Sequence, residues 1–309
     1  MQAKKKLLLL LLQKDYNMII LSKKFKRFCK HNNTKGISYI LLAAFCFSIM
    51  STFVKIILDK HHVVDIMFLR SAIGLAILTF FFKLKIYKIN KKFIKFHFLR
   101  TALGITAMFL SFTALKYIPL SNITALNFSK IFFIIPLAVF FLKETINFYK
   151  ILNIFIGFIG VIIIIGFDLS FSSNFIYYFY ALLGTFLIAL IKILIRRISY
   201  SEDNLNIQFW FASFSCIFLI IPYFEVALMP DLKSFLMIIL ATIFGLLAQY
   251  FTISGLRIAK STLVMPFDFF RVIFSSLIGI IIFYEDITLF FLIGSFIIFS
   301  SSLQLSKTK

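Results

Sequence analysis

Residues 255–271, GLRIAKSTLVMPFDFFR, align without gaps on residues 114–130, ALKYIPLSNITALNFSK. The same register pairs Arg271 with Lys130, Asp268 with Asn127 and Glu285 with Glu144. Upstream, IYYFYALLGTFLIALIK (176–192) lies over YILLAAFCFSIMSTFVK (39–55) and sets Lys192 against Lys55, in a register changed only by loop length. Self-similarity running through both halves reads as an internal duplication.

Composition says where the duplicated unit lives. The chain has 309 residues, of which 61% are hydrophobic and 15% charged, with a mean hydropathy of +1.00. That balance excludes an ordinary soluble domain. Apolar runs of roughly twenty residues, the length that crosses a ~30 Å hydrocarbon layer as helix, recur from residue 36 to residue 305. They lack the period-two alternation of a membrane β-barrel. The expected fold is therefore an all-α integral membrane protein of ten transmembrane helices, near 36–58, 63–82, 98–116, 120–141, 147–167, 175–196, 206–224, 232–253, 258–283 and 287–305. Residues 1–35 are expected as a basic cytoplasmic tail, 36–168 as a first five-helix repeat and 169–309 as a second. Five is odd, so the second repeat crosses in the opposite sense to the first, the inverted arrangement used for alternating access.

Net charge is +21, and its placement decides its meaning. Basic residues crowd the segments that are cytoplasmic if the N-terminus is inside, above all residues 1–35 and Lys83–Lys95. The opposite loops and helix ends carry only Lys60, Lys116 and Lys233. The positive-inside rule then places both termini in the cytoplasm of a bacterial inner membrane, and the basic excess is a topology signal and an attraction to anionic lipid, with nucleic acid not expected as a partner. The Leu run 7–12 is too short for a signal peptide and no small-residue cleavage site follows; Met18 is an alternative start. Cys29, Cys46 and Cys216 are too scattered for disulfides or a metal cluster.

The order FTALKYIPLS, FFLKETINFYKILNIFIGFIGVIII and then GLRIAKSTLVMPFDFFRVIFSSLIGIIIFYEDITLFFLIGSFIIF resembles the EamA family of the drug/metabolite transporter superfamily. The matching positions are Glu144 with Gly157 and Gly160 in the first half, and Glu285 with Gly294 in the second. The resemblance covers residues 36–305 and implies a duplicated five-helix carrier whose relatives move amino acids, nucleosides, S-adenosylmethionine, sugars or drugs. Lys130 departs from it, standing where many relatives have a small residue or proline.

Charges inside the spans mark the candidate site. A lone charge at mid-helix costs on the order of 2.5–3.5 kcal/mol on insertion, so it needs a partner or a watery cavity. Asp268 and Arg271, at i and i+3 near the middle of the expected helix 258–283, share a face with Ser275 and are placed to neutralise one another. The alternatives are a permanent ion pair and a place in the substrate path. Thr124, Asn127 and Lys130 repeat that stripe in the first half. Ser48, Thr52 and Lys55 form a further polar face, with snorkelling of Lys55 to the interface weighed against a cavity role. Lys192 is read the same way, Arg70 as a cavity or packing contact, Arg100 as interfacial, and Gln249 with Thr252 as close helix packing or cavity lining. Pro266 is expected to loosen the helix beside Asp268, or simply to kink it. Glu144 and Glu285 stand as helix termini, with gating as the alternative. The 44 Phe are read as genome base composition rather than aromatic recognition.

Function follows by exclusion and by charge. No H-E-x-x-H, G-x-S-x-G or Walker A pattern occurs, so neither an enzyme nor an ATP-driven pump is expected, and no selectivity-filter loop favours a channel. The expected function is secondary transport of a small polar metabolite, an amino acid or derivative including S-adenosylmethionine, with drug or other metabolite export as the alternative. Arg271, Asp268, Lys130, Asn127, Thr124, Lys55, Thr52 and Arg70 are the expected substrate-binding residues, and Asp268 the coupling group. No cofactor or metal is expected; the partners are the small-molecule substrate and the lipid bilayer, with a homodimer as an open alternative to a monomer.

Overall fold

The computed structural model describes residues 34–82, 93–142, 147–166, 175–199, 202–259 and 264–307. The expectations for the basic tail, for most of the loop at 83–95 and for Glu144 lie outside these residues. All regular structure among the described residues is helical. In chain order α1 is Thr34–Leu58, α2 Val63–Phe82, α3 Ile94–Tyr117, α4 Leu120–Phe128, α5 Lys130–Leu142, α6 Phe148–Gly166, α7 Phe175–Ser199, α8 Asn204–Val226 and α9 Leu232–Ile258. A 3-10 segment, Met265–Phe269, then runs into α10, Phe270–Phe283, and α11 is Leu289–Lys307.

Among the described residues, eight spans are long and apolar enough to cross a membrane: α1, α2, α3, α4 together with α5, α6, α7, α8 and α9. Large apolar side chains such as Phe155, Ile162, Ile281 and Phe296 face outward from the bundle, where only lipid would cover them. The molecule is a multi-pass membrane protein. The reading of one helix over 258–283 is corrected: α9 continues to Ile258, helix resumes in 3-10 form at Met265, and α10 has only 14 residues. Pro266 stands at the start of the 3-10 segment, where its missing N–H costs nothing and its fixed φ suits the turn. Asp268 therefore belongs to a 3-10 turn and not to the middle of an α-helix.

The fourth span breaks as well, at Ser129 rather than at Pro136. The Ser129 N–H donates to Leu126 O at 3.0 Å and its hydroxyl to the same carbonyl at 2.6 Å, and Phe132 N–H donates to Ser129 O at 2.9 Å. These i to i−3 bonds tighten one turn and interrupt the α-ladder. Pro136 remains inside α5.

All nine residues of α4 are buried, against α3, α7, α10 and α11. A helix enclosed on every side must satisfy its polar groups internally. Thr124 Oγ1 donates to Ser121 O at 2.8 Å, Asn122 Nδ2 donates to the Tyr178 hydroxyl at 2.9 Å, and Thr185 Oγ1 donates to Asn127 Oδ1 at 3.1 Å. Hydroxyls elsewhere behave alike: Ser48, Thr52 and Thr252 bond carbonyls one turn back.

The N-terminus of α4 is capped from across the molecule. Tyr284, in the left-handed conformation at φ 53°, ends α10 and lets Glu285 N–H return to Gly279 O at 3.0 Å. Glu285 then accepts from Leu120 N–H at 2.7 Å, from the Ser121 hydroxyl at 3.0 Å and from Lys55 Nζ at 2.5 Å. Gly279 leaves the room this needs, since a Cβ there would lie 2.5 Å from Glu285 Oε2.

At the far ends, α6 and α11 pack backbone to backbone. A Cβ on Gly160 would lie 2.8 Å from Gly294 O, and one on Gly294 would lie 2.7 Å from Gly160 O. Close approach of this kind is what small residues provide between membrane helices, where no hydrophobic force drives association. Gly160→Leu is expected to force the pair apart and to cost about 1–3 kcal/mol. Thermal unfolding in detergent measures it; an unchanged midpoint would mean the contact contributes nothing.

Candidate functional site

A cavity of about 220 Å³ opens inside the bundle where the two broken spans meet. Its wall carries Arg70 from α2, Arg100 from α3, Lys130 from α5, Lys192 from α7, Asp268 from the 3-10 segment and Arg271 from α10. Five cations and one carboxylate thus share one internal space.

The two breaks place the central pair. Lys130 is the first residue after the turn at Ser129, Asp268 lies in the 3-10 turn after Pro266, and Lys130 Nζ donates to Asp268 Oδ2 with both side chains buried. The expected pairing of Asp268 with Arg271 is corrected accordingly. The short Asp268 side chain reaches α5 from its turn, whereas the longer Arg271 turns to α1. There Arg271 Nη2 donates to Ser51 Oγ at 3.3 Å and its guanidinium lies 4.8 Å over the Phe47 ring. Ser48 fastens the same junction: its hydroxyl bonds Arg271 O at 3.2 Å and Ser275 Oγ at 3.1 Å.

Each arginine of the cavity rests on a phenylalanine. Arg70 lies 5.3 Å from the Phe112 ring centroid and Arg100 lies 4.5 Å from that of Phe211, besides Arg271 on Phe47. A desolvated cation gains about 2 kcal/mol over an aromatic face, so three of the rings read as compositional background hold charge in place. The remaining bonds of Arg70 and Arg100 go to weak or neutral acceptors: Met50 Sδ at 3.1 Å and Gln249 Oε1 at 3.3 Å. Gly245 makes room for Arg70, since a Cβ there would lie 2.6 Å from Nη2.

Of the eight residues expected to bind substrate, Arg271, Asp268, Lys130, Asn127 and Arg70 line the cavity. Thr52 and Thr124 spend their hydroxyls on their own helices and stay out of its wall. Lys55 neither snorkels nor lines the cavity; Glu285 holds it. Arg100, read as interfacial, lines the wall, as do Lys192, for which snorkelling is weighed against a cavity role, and Gln249 and Thr252, for which packing is weighed against cavity lining. Only the rotation of each helix about its axis reveals them. One signal was present: Lys192 falls on the register of Lys55, inside a span, with no acid near it in sequence. Among the described residues no group of three His, Cys, Asp or Glu side chains could hold a metal ion.

Fold and site define a class: a multi-pass helical membrane protein built around a buried, strongly cationic chamber. Residues 34–166 match the EamA-like transporter family. Of the positions that carry the resemblance, Gly157 and Gly160 fall within the matched residues. Relatives include an uncharacterized transporter of Helicobacter pylori, 27% identical over 79% of this chain and 85% of its own. A riboflavin transporter of Brucella anthropi is 27% identical over 68% and 76% of the two chains. The pseudopaline exporter CntI of Pseudomonas aeruginosa is 23% identical over 89% and 96%. A solved crystal structure of a protein 16% identical superposes with a TM-score of 0.60 over 90% of this chain and 98% of its own, which shows a common fold.

Proposed function

We propose that this protein is a secondary active transporter of the EamA type that carries a small polar metabolite with an anionic group across the bacterial inner membrane. Amino acids and their derivatives are the leading class, and drug or other metabolite export is the alternative. The observation that carries the reading is the cavity in which Lys130, Lys192, Arg70, Arg100 and Arg271 outnumber one carboxylate, Asp268. Arg271 is the natural bidentate partner for a carboxylate, already oriented by Phe47 and Ser51. The excess of positive charge ranks acids and amino acids above the sulfonium cation S-adenosylmethionine. The relatives' names give two different solutes, riboflavin and pseudopaline, so charge in the cavity is the better guide.

The mechanism in this reading is alternating access by two inverted five-helix halves, residues 36–168 and 169–309, with both termini cytoplasmic. Each half contributes one interrupted span to the cavity wall, the arrangement by which carriers expose a midplane site. Asp268 couples transport to protons by exchanging its Lys130 partner for a proton as the halves move. Counterflow in liposomes loaded with pooled amino acids, nucleosides and S-adenosylmethionine tests the reading. An amino acid or derivative should exchange in the parent and not in Arg271→Ala. Exchange that persists in a correctly folded variant would move the site elsewhere, and a parent that exchanges nothing would end the amino-acid reading.

A further inference from the structure

We infer that the substrate carries two anionic groups and that Arg100, with Gln249, receives the second of them. The inference rests on the cavity being the transport site and names the class that site takes: small organic dianions, as dicarboxylates, acidic amino acids or phosphate monoesters.

The argument begins with which donors have acceptors. Lys130 has Asp268; Arg271 has Ser51 at Nη2 and Arg70 has the Met50 sulfur, each with its Nε alone unmet. Arg100 is 3% exposed, yet its Nε and Nη1 are buried with no acceptor, and its only hydrogen bond among the described residues is the one to the neutral Gln249 amide. A buried guanidinium retains all its donors in need of acceptors, and leaving them unmet is costly. Nothing on the wall meets that need, because Asp268 is the only acid among the described residues that line the cavity.

Arg100 is also held ready. Phe211 lies beneath its guanidinium, and Gly104, one turn along α3, lets that ring approach, since a Cβ there would lie 2.7 Å from Phe211 Cε2. The ring fixes the guanidinium plane and leaves its edge for a forked contact with a carboxylate or phosphate. Arg100 and Arg271 are anchored to different walls, one to α8 and α9 and the other to α1. Lys192, on α7, makes no hydrogen bond or ion pair among the described residues and lines the same cavity as both arginines. A single anion bound at Arg271 would leave the Arg100 wall unmatched. A molecule with an anion at either end meets both walls within the cavity that Lys192 also lines.

The test is counterflow in liposomes with succinate, glutamate and glycerol 3-phosphate against lactate and alanine, for the parent, Arg100→Gln and Arg100→Lys. The parent should exchange probes with two anionic groups at least about tenfold faster at low concentration than those with one. Arg100→Gln should raise the half-saturating concentration of the dianions about tenfold and so remove the preference for them over monoanions, and Arg100→Lys, which keeps the charge without the fork, should fall between. Equal exchange of both classes by the parent, or a dianion preference untouched in Arg100→Gln, would overturn the inference. Should no probe exchange at all, the transport reading fails separately, and thermal unfolding in detergent with the same probes decides the subsite. Stabilisation by dianions that is lost in Arg100→Gln sustains it, and no stabilisation by any dianion overturns it.

Discussion

Asp268→Asn and Lys130→Met are each expected to abolish exchange and to destabilise the protein by about 3–5 kcal/mol, because either change strands its buried partner. The reason is local. Both side chains are buried, Lys130 bonds Asp268 directly, and the surrounding wall holds four further cations and no second carboxylate among its described residues. Removing Asp268 leaves an uncompensated cluster of positive charge; removing Lys130 leaves the carboxylate to Arg271 and Lys192. The double variant that combines Lys130→Met with Asp268→Asn is expected to recover most of the lost stability, since neutral groups of similar volume replace a buried ion pair at little cost. An amide is already accommodated at the equivalent first-half position, Asn127. Exchange should stay absent. Thermal unfolding in detergent and counterflow on the parent, the two single variants and the double variant measure both quantities. A double variant that transports would remove the pair from the mechanism, and single variants as stable as the parent would mean water already solvates the site.

Glu285→Gln is expected to cost about 3 kcal/mol, of the size seen when one partner of a buried pair is removed and its neighbours are left behind. The carboxylate serves three elements together: it neutralises Lys55 on α1, caps the first N–H groups of α4, and stands at the end of α10. Gln keeps the shape and loses the charge that both Lys55 and the helix terminus favour. A double-mutant cycle with Lys55→Met separates the two contributions: the cost of Glu285→Gln should shrink in the Lys55→Met background by the Lys55 share, and the remainder is the cap. Burial pushes the Glu285 carboxyl up, but Lys55 and the N–H groups of Leu120 and Ser121 outweigh it and hold the group below its ordinary value of 4.5. With the folded value depressed, this stabilisation is complete above about pH 4.5 and is lost as pH falls through the folded value. Thermal unfolding of the parent should therefore fall on acidification in that range more steeply than that of Glu285→Gln. Parallel curves would show that Glu285 is not charged in the folded protein.

Much of the fold was legible because hydropathy reports burial in lipid directly. The spans read from apolar runs coincide with α1 to α3 and α6 to α9 within a few residues. What escaped were the interruptions. Ser129 gives a weak local signal, and it breaks the ladder because its hydroxyl and N–H both go to Leu126 O. Pro136 gives a strong signal and breaks nothing. Pro266 did announce the turn beside Asp268.

For the site, sequence picked out some of the buried charges and was poor on what they meet. Asp268 and Lys130 were singled out for their cost in a membrane, and both line the cavity. Spacing at i and i+3 pointed Asp268 at Arg271, whereas its partner is 138 residues away on α5. Depth along the helix assigned Arg100 to the interface and left snorkelling open for Lys192, but the face that each helix turns inward decides exposure, and depth does not report it. Lys55, for which snorkelling is weighed against a cavity role, pairs instead with Glu285, 230 residues away in the chain.

By itself, then, the amino-acid sequence determined that this chain lives in a bilayer, that it is helical, and that it keeps several charges where charge is expensive. These are consequences of composition and local period, which each segment carries alone. Only the tertiary structure decided that five of the cations face one cavity, that Lys130 holds Asp268, and that Arg100 retains donors without acceptors. Such facts depend on the rotation and contact of helices far apart in the chain, and no single segment encodes them.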